Sequence, residues 1–157
     1  MDNVYDIKRK KNLNYILPFK TKLEGNQNDI YKGKIAIIIH LHYLDTVEDY
    51  LKYIEAIPDN IDILFTFSDC KVKETLQKTA VGKRKNCSFI EKQNRGRDIS
   101  AFLVACRKDI MQYEYICFLH DKKEKKSIHK KDVKDWLRCL WENVIGSTEY
   151  IENVLST

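Results

Sequence analysis

Four short segments hold most of the side chains able to do chemistry. They are His40-Leu41-His42-Tyr43, Ser68-Asp69, Asn94-Arg95-Gly96-Arg97-Asp98 and His120-Asp121-Lys122-Lys123. The third is the most distinctive. A glycine between two arginines permits positive φ or a close backbone approach. With a helix starting at Asp98, unpaired N–H groups and a partial positive charge would join two guanidiniums, whose forked donors suit phosphate. That combination describes a diphosphate-binding corner. The same string also serves a tight left-handed turn, with solvated arginines and Asp98 as a helix cap.

The fourth segment offers two routes to the same anion. Asp121 can ligate a divalent cation, Mg²⁺ or Mn²⁺, that shares substrate phosphate oxygens. Alternatively, Lys122 or Lys123 neutralises a departing diphosphate directly, without a metal. One carboxylate is a sparse metal site. The lysines beyond Lys123 read as a solvated loop, and His129 carries no separate signal. His40 and His42 alternate at a strand end, so they are expected on opposite faces, one packed and one lining the cleft. No third ligand stands at zinc-like spacing beside them. Asp69 is placed either to accept hydrogen bonds from a nucleobase or ribose, or to cap the next helix.

These segments share one property: each follows an apolar run. Ile35-Ala36-Ile37-Ile38-Ile39 is a continuous β-branched strand signal, buried on both faces. Strand signals recur at residues 61–67, 88–91 and 115–119. Helix signals lie between them. Asp45, with Glu48 three residues on, should cap a helix whose face is Leu44, Val47, Leu51 and Ile54. A second, weaker helix, capped by Ser68 or Asp69, runs to about Val81 and closes at Gly82. A third starts at Asp98, with Ile99, Phe102, Leu103, Cys106 and Ile110 on one face. The cleanest stripe is Val133, Trp136, Leu137, Leu140, Trp141, Val144 and Ile145, ended by Gly146. Ser147 should open one more turn.

The order β-α-β-α-β-α-β-α implies an α/β domain built on a parallel sheet, with right-handed crossovers. Ligands of such sheets bind beyond the carboxyl ends of the strands. The four segments all fall on that edge, together with three of the four histidines.

The chain has 157 residues, enough for one domain, and 43% of them are apolar. Residues 34–157 form the expected domain, and residues 1–33 an extension and linker. The net charge of +5 suits a phosphate-bearing ligand without arguing for nucleic acid. Five cysteines, an odd number with no CxxC pair, disfavour a disulfide scaffold and point to reduced thiols. No run approaches the roughly 20 apolar residues of a membrane span. The first residues lack the apolar core of a signal peptide, so a cytoplasmic location is expected. The basic run Lys8-Arg9-Lys10-Lys11 reads as a solvated tail or as a contact with the inner face of an anionic membrane. GxGxxG, GxxxxGK[ST] and GxSxG are all missing, which excludes three common nucleotide-binding and hydrolase signatures.

Residues 35–146 resemble the rhamnan synthesis protein F family of bacterial polysaccharide-building enzymes. The resemblance rests on Ile39-His40-Leu41-His42-Tyr43, Asn94-Arg95-Gly96-Arg97-Asp98, Tyr115-Ile116-Cys117-Phe118-Leu119-His120-Asp121-Lys122-Lys123 and the Trp136-to-Ser147 helix end. It implies a GT-A-type, Rossmann-like nucleotide-sugar fold. It further implies transfer of a sugar, typically rhamnose from a donor such as dTDP-rhamnose, onto a glycan or lipid-linked glycan.

The chain is similar, more distantly, to family-2 glycosyltransferases. That likeness maps a base contact to Asp69, nucleotide contacts to Arg97 and Asp98, and the Asp-x-Asp metal motif to His120-Asp121-Lys122. Lys122 replaces the second carboxylate, so a metal-independent, cation-assisted departure is the alternative expectation. Such enzymes normally continue into acceptor-binding segments and a catalytic base. The chain is therefore expected to be a donor-binding portion, with a non-catalytic nucleotide- or glycan-binding module as the competing reading.

Overall fold

The computed structural model describes residues 33–123 and 130–155. The basic run at Lys8 and the loop residues Lys125, Lys126 and His129 lie outside the described residues. Four strands, β1 (Ile35–His40), β2 (Asp62–Phe67), β3 (Cys87–Glu91) and β4 (Tyr115–His120), form one parallel sheet in the order β3-β2-β1-β4. β1 pairs on both sides, with Ile37 opposite Ile63 in β2 and Cys117 in β4. Its six residues are all buried, as its unbroken apolar sequence requires.

Strand alternation sorts the core into two layers. Ile35, Ile37 and Ile39 join Ile63, Phe65 and Phe67 on one face. Helices α1 (Val47–Glu55), α2 (Cys70–Lys78), α4 (Lys130–Ile145) and α5 (Thr148–Leu155) cover that face. Ala36, Ile38 and Leu64 face the other way, toward Phe102, Cys106 and Ile110. They meet the segment that begins as α3 (Arg97–Ser100). The two-sided cover follows from the strand order. β1 to β2 to β3 steps one way across the sheet. The return from β3 to β4 passes both inner strands, so a right-handed crossover places α3 on the opposite face.

Trp141 anchors the thicker layer. It is fully buried and stacks on Tyr50 with ring centroids 4.4 Å apart. Burying such a ring stabilises by about 3 kcal/mol. All five cysteines are free thiols. Burial pushes Cys106 and Cys117 up to about 11, so neither is a ready nucleophile.

Several local expectations are corrected. Asp45 does not cap α1. A 3-10 turn at Leu44–Thr46 precedes the helix, Thr46 stands at its cap position, and the Asp45 carboxylate pairs with Lys123 instead. Leu44 is exposed, while Tyr50 and Tyr53 join the buried face. α2 ends at Lys78 because Thr79 turns to extended backbone, and Gly82 lies in a following 3-10 turn.

The third helix departs furthest from its expected form. Gly96 holds its cap position at φ 72°, and Asp98 lies inside the first turn. After Ser100 the chain widens into a π-helix, Ala101–Ala105. The wider turn breaks the 3.6-residue stripe. Phe102, Cys106 and Ile110 face the sheet, whereas Ile99 and Leu103 face outward. On α4, Leu137, Trp141 and Ile145 are buried as expected, but Trp136 is 42% exposed. Ser147 opens α5 as expected, its Oγ accepting from the Tyr150 N–H at 3.1 Å.

Candidate functional site

β1 and β4 are neighbours in the order β3-β2-β1-β4, so the loops that follow them rise side by side from the carboxyl edge, where ligands of parallel sheets bind. His40 and His120 are register partners at that point. A cleft of about 580 Å³ lies over them. Its walls carry His42 and Tyr43 after β1, Lys92, Asn94, Arg97 and Asp98 after β3, and Asp121, Lys122 and Lys123 after β4. Trp136 of α4 completes the lining.

Asp121 ties two of these walls together. It is buried, and its Oδ2 accepts from the backbone N–H of His42 at 2.9 Å and of Tyr43 at 2.7 Å. The Thr46 hydroxyl donates to the same oxygen at 3.2 Å. The Asp121 N–H donates in turn to the His40 carbonyl at 3.0 Å. Burial raises the carboxyl above the usual range, and the three donors oppose that shift. As a metal ligand Asp121 fits poorly, because one oxygen already carries three protein donors. Among the described residues no group of three His, Cys, Asp or Glu side chains could hold an ion.

His40 is only 5% exposed. Its Nδ1–H donates to Thr66, 3.0 Å from Oγ1 and 3.2 Å from the carbonyl oxygen. Burial, aided by the Lys92 ammonium, lowers its pKa to about 4. His40 is therefore neutral near pH 7, with Nε2 left as an acceptor. The His120 Nδ1–H donates to the Asp121 carbonyl at 2.8 Å, and its Nε2 lies 3.6 Å from Asp98 Oδ2. His40 and His42 are not on opposite faces. The strand ends at His40, so alternation stops there, and the two rings stand 6.5 Å apart at the same cleft.

The turn before α3 is divided between two surfaces. Arg97 also adopts positive φ, 52°, a second left-handed residue after Gly96. That geometry costs on the order of 1 kcal/mol for a residue with a Cβ. Asn94, Arg97 and Asp98 line the cleft. Arg95 and Gly96 instead line a shallower depression of about 440 Å³ with Glu91, Ser100 and Val104. Asp69 lines neither. It caps α2, its Oδ1 accepting from the Lys71 N–H at 2.9 Å.

The charge balance of the cleft is cationic. Asp98 faces His120, Asp121 is held by its three donors, and Lys123 is paired with Asp45. Among the described residues no ion pair engages Lys92, Arg97 or Lys122. The arrangement can hold a compact anion between cations from two loops, beside a neutral imidazole acceptor and an indole ring.

The family model for rhamnan synthesis protein F matches residues 1–157, the whole chain. The chain belongs to that family. The match extends beyond the residues on which the resemblance rests, to the segments before Ile35 and after Gly146. Membership in the rhamnan synthesis protein F family ties the chain to synthesis of rhamnan, a polysaccharide. No curated protein and no solved structure gives a match. Among the described residues no helix of this family member is long and apolar enough to cross a membrane.

Lys92 and Trp136 belong to the cleft without having been expected there. Lys92 was within reach of sequence reasoning, since it directly follows a strand on the ligand edge. Trp136 was not, because its spacing fits the helical core stripe.

Proposed function

We infer that the cleft binds the diphosphate of a nucleotide sugar, dTDP-rhamnose or a similar donor, for transfer of the sugar to a bacterial cell-surface polysaccharide. One observation carries this reading: Arg97 from the turn after β3 and Lys122 from the end of β4 meet in one cleft at the carboxyl edge of the sheet. Lys92 adds a third cation. Donors fixed before the reaction stabilise charge that develops on a leaving diphosphate, since they need no reorganisation. Trp136 gives a flat apolar wall, suited to a base or a sugar face. Family membership in rhamnan synthesis supports the sugar chemistry. The GT-A likeness is part of this proposal.

A ligand of the native state must raise the melting temperature. dTDP or UDP at millimolar concentration should do so for the full chain, without any requirement for Mg²⁺ or Mn²⁺. No shift with either nucleotide, with or without the metals, overturns the reading.

The saturated Oδ2 of Asp121 favours a second reading, a nucleotide- or glycan-binding module without turnover. Nucleotide binding combined with no sugar transfer to an acceptor glycan selects that one.

A further inference from the structure

The segment over the thinner face of the sheet has two apolar sides. Ala101 and Cys106 are fully buried against it, and Phe102 packs beside them. A water-facing helix should be polar on the other side. Here Ile99 is 57% exposed, Leu103 53% and Val104 71%, and Met111 beyond them is 83% exposed. Ile99 and Leu103 are four residues apart, so they share the outer side. Cations bracket them: Arg95 precedes the stripe, and Arg107 and Lys108 follow it, all exposed. Positions 99–108 carry no acidic residue; of the two aspartates that flank them, Asp98 lines the cleft and Asp109, beside Lys108, is half-buried.

We propose that this outer face, Ile99, Leu103 and Val104 flanked by Arg95, Arg107 and Lys108, docks on the surface of an anionic bilayer. The combination is that of an interfacial segment: apolar side chains enter the acyl boundary while arginine and lysine meet lipid phosphates. The charge argues against a second copy as the occupant. A two-fold contact would bring two sets of Arg107 and Lys108 into one interface, whereas lipid phosphates supply the opposite charge. Ile99, Leu103 and Met111 project outward clear of the cleft and the depression, while Val104 and Arg95 stand on the rim of the depression. Projecting residues suit insertion better than they suit receiving a partner's side chain. Arg97, in the same helix, lines the cleft, so docking would bring its mouth near the membrane. The proposal is independent of the nucleotide reading, because vesicle binding is measured with no nucleotide present.

The test is co-sedimentation of the full chain with vesicles of phosphatidylcholine, alone or mixed with phosphatidylglycerol. The chain should sediment with the mixed vesicles, and binding should weaken as salt rises. The double substitution Leu103→Ser, Val104→Ser should lower that binding about tenfold. Arg107→Glu with Lys108→Glu should lower it at least about fivefold for each charge changed. These positions are exposed, so unchanged melting temperatures should accompany the losses. Failure of the unaltered chain to bind overturns the proposal. Equal binding by the variants also overturns it, because it would assign the attraction to another segment. Sedimentation velocity without lipid covers the remaining occupant. A dimer that Leu103→Ser, Val104→Ser disperses would make this face a contact between copies and would likewise overturn the proposal.

Discussion

His40 and His120 are register partners on adjacent parallel strands and both donate through Nδ1 to a backbone carbonyl, yet their Nε2 atoms meet different surroundings. His40 is buried on Thr66 and kept neutral, so it offers the cleft an acceptor. His120 donates through Nδ1 to the Asp121 carbonyl, and its Nε2 faces the Asp98 carboxylate at 3.6 Å. Two equivalent strand positions thus meet different hydrogen-bonding partners at one edge of the sheet. Neighbouring side chains cause the difference, not the backbone.

His40 should give the fold a pH dependence of known sign. Its pKa falls from the ordinary 6.5 to about 4 in the fold, so the unfolded chain binds the proton more readily. Stability on its account is complete above pH 6.5 and declines as the pH falls toward 4. Below 4 the contribution should level off. Asp121, raised by burial, acts in the opposite sense at acid pH. Urea midpoints compared between the unaltered chain and His40→Gln isolate the histidine. The variant should lack the decline between the two values, and identical slopes would refute the assignment.

Asp121 should act mainly as the tie between the β1–α1 loop and β4. Asp121→Ala leaves the N–H groups of His42 and Tyr43 without their acceptor. Each partly buried donor left unmatched costs about 1 to 3 kcal/mol, so a loss of about 3 kcal/mol is expected. Asp121→Asn retains one carbonyl acceptor and should lose about half as much. Denaturant unfolding measures both. A carboxylate kept only for ligand binding would behave the other way, because removing a buried charge would then stabilise the chain.

The strands and the edge that carries the chemistry were legible in the sequence, for a specific reason. Ile35 to Ile39 is apolar without interruption and Ile61 to Phe67 is broken only by Asp62 and Thr66, a density that suits strands covered on both faces. With the strands placed, their carboxyl ends located His40, Arg97 and Asp121 without any tertiary information. Helix starts were less legible. Asp45 has the residue type of a cap but serves Lys123, a partner 78 positions away. The third helix misled because a 3.6-residue period presumes regular turns, and its π-helical stretch rotates Ile99 and Leu103 outward. The division of the basic turn, with Arg97 on one surface and Arg95 on another, depends on two successive positive φ angles. Residue types give no sign of the second, since arginine has no preference for it.

Two glycines should respond differently to alanine. At Gly82 a Cβ would stand 2.0 Å from the Leu76 carbonyl oxygen, which belongs to the backbone of α2. The helix end or the turn must move, so Gly82→Ala should cost more than about 3 kcal/mol. At Gly96 the Cβ meets the Ser100 side chain at 2.7 Å, and the residue keeps a φ of +72°. Left-handed strain and a yielding neighbour together suggest about 2 kcal/mol. Only Gly96 adjoins the cleft, so Gly96→Ala should also weaken nucleotide binding. Gly82→Ala, assayed at a temperature where it is folded, should not.

The division of the basic turn gives the sharpest test of the site. Arg97 lines the cleft, while Arg95, two residues earlier, lines the other depression. A charge-assisted hydrogen bond to phosphate contributes about 1.5 to 3 kcal/mol. Arg97→Ala should therefore weaken dTDP or UDP binding about tenfold to a hundredfold, with melting temperature little changed. Arg95→Ala removes the same charge from the same loop and should alter affinity less than about threefold, through long-range attraction alone. Isothermal titration of both variants makes the comparison at equal net charge. Equal losses would mean that the turn attracts nucleotides by its overall charge, and the cleft would then have no claim to the diphosphate.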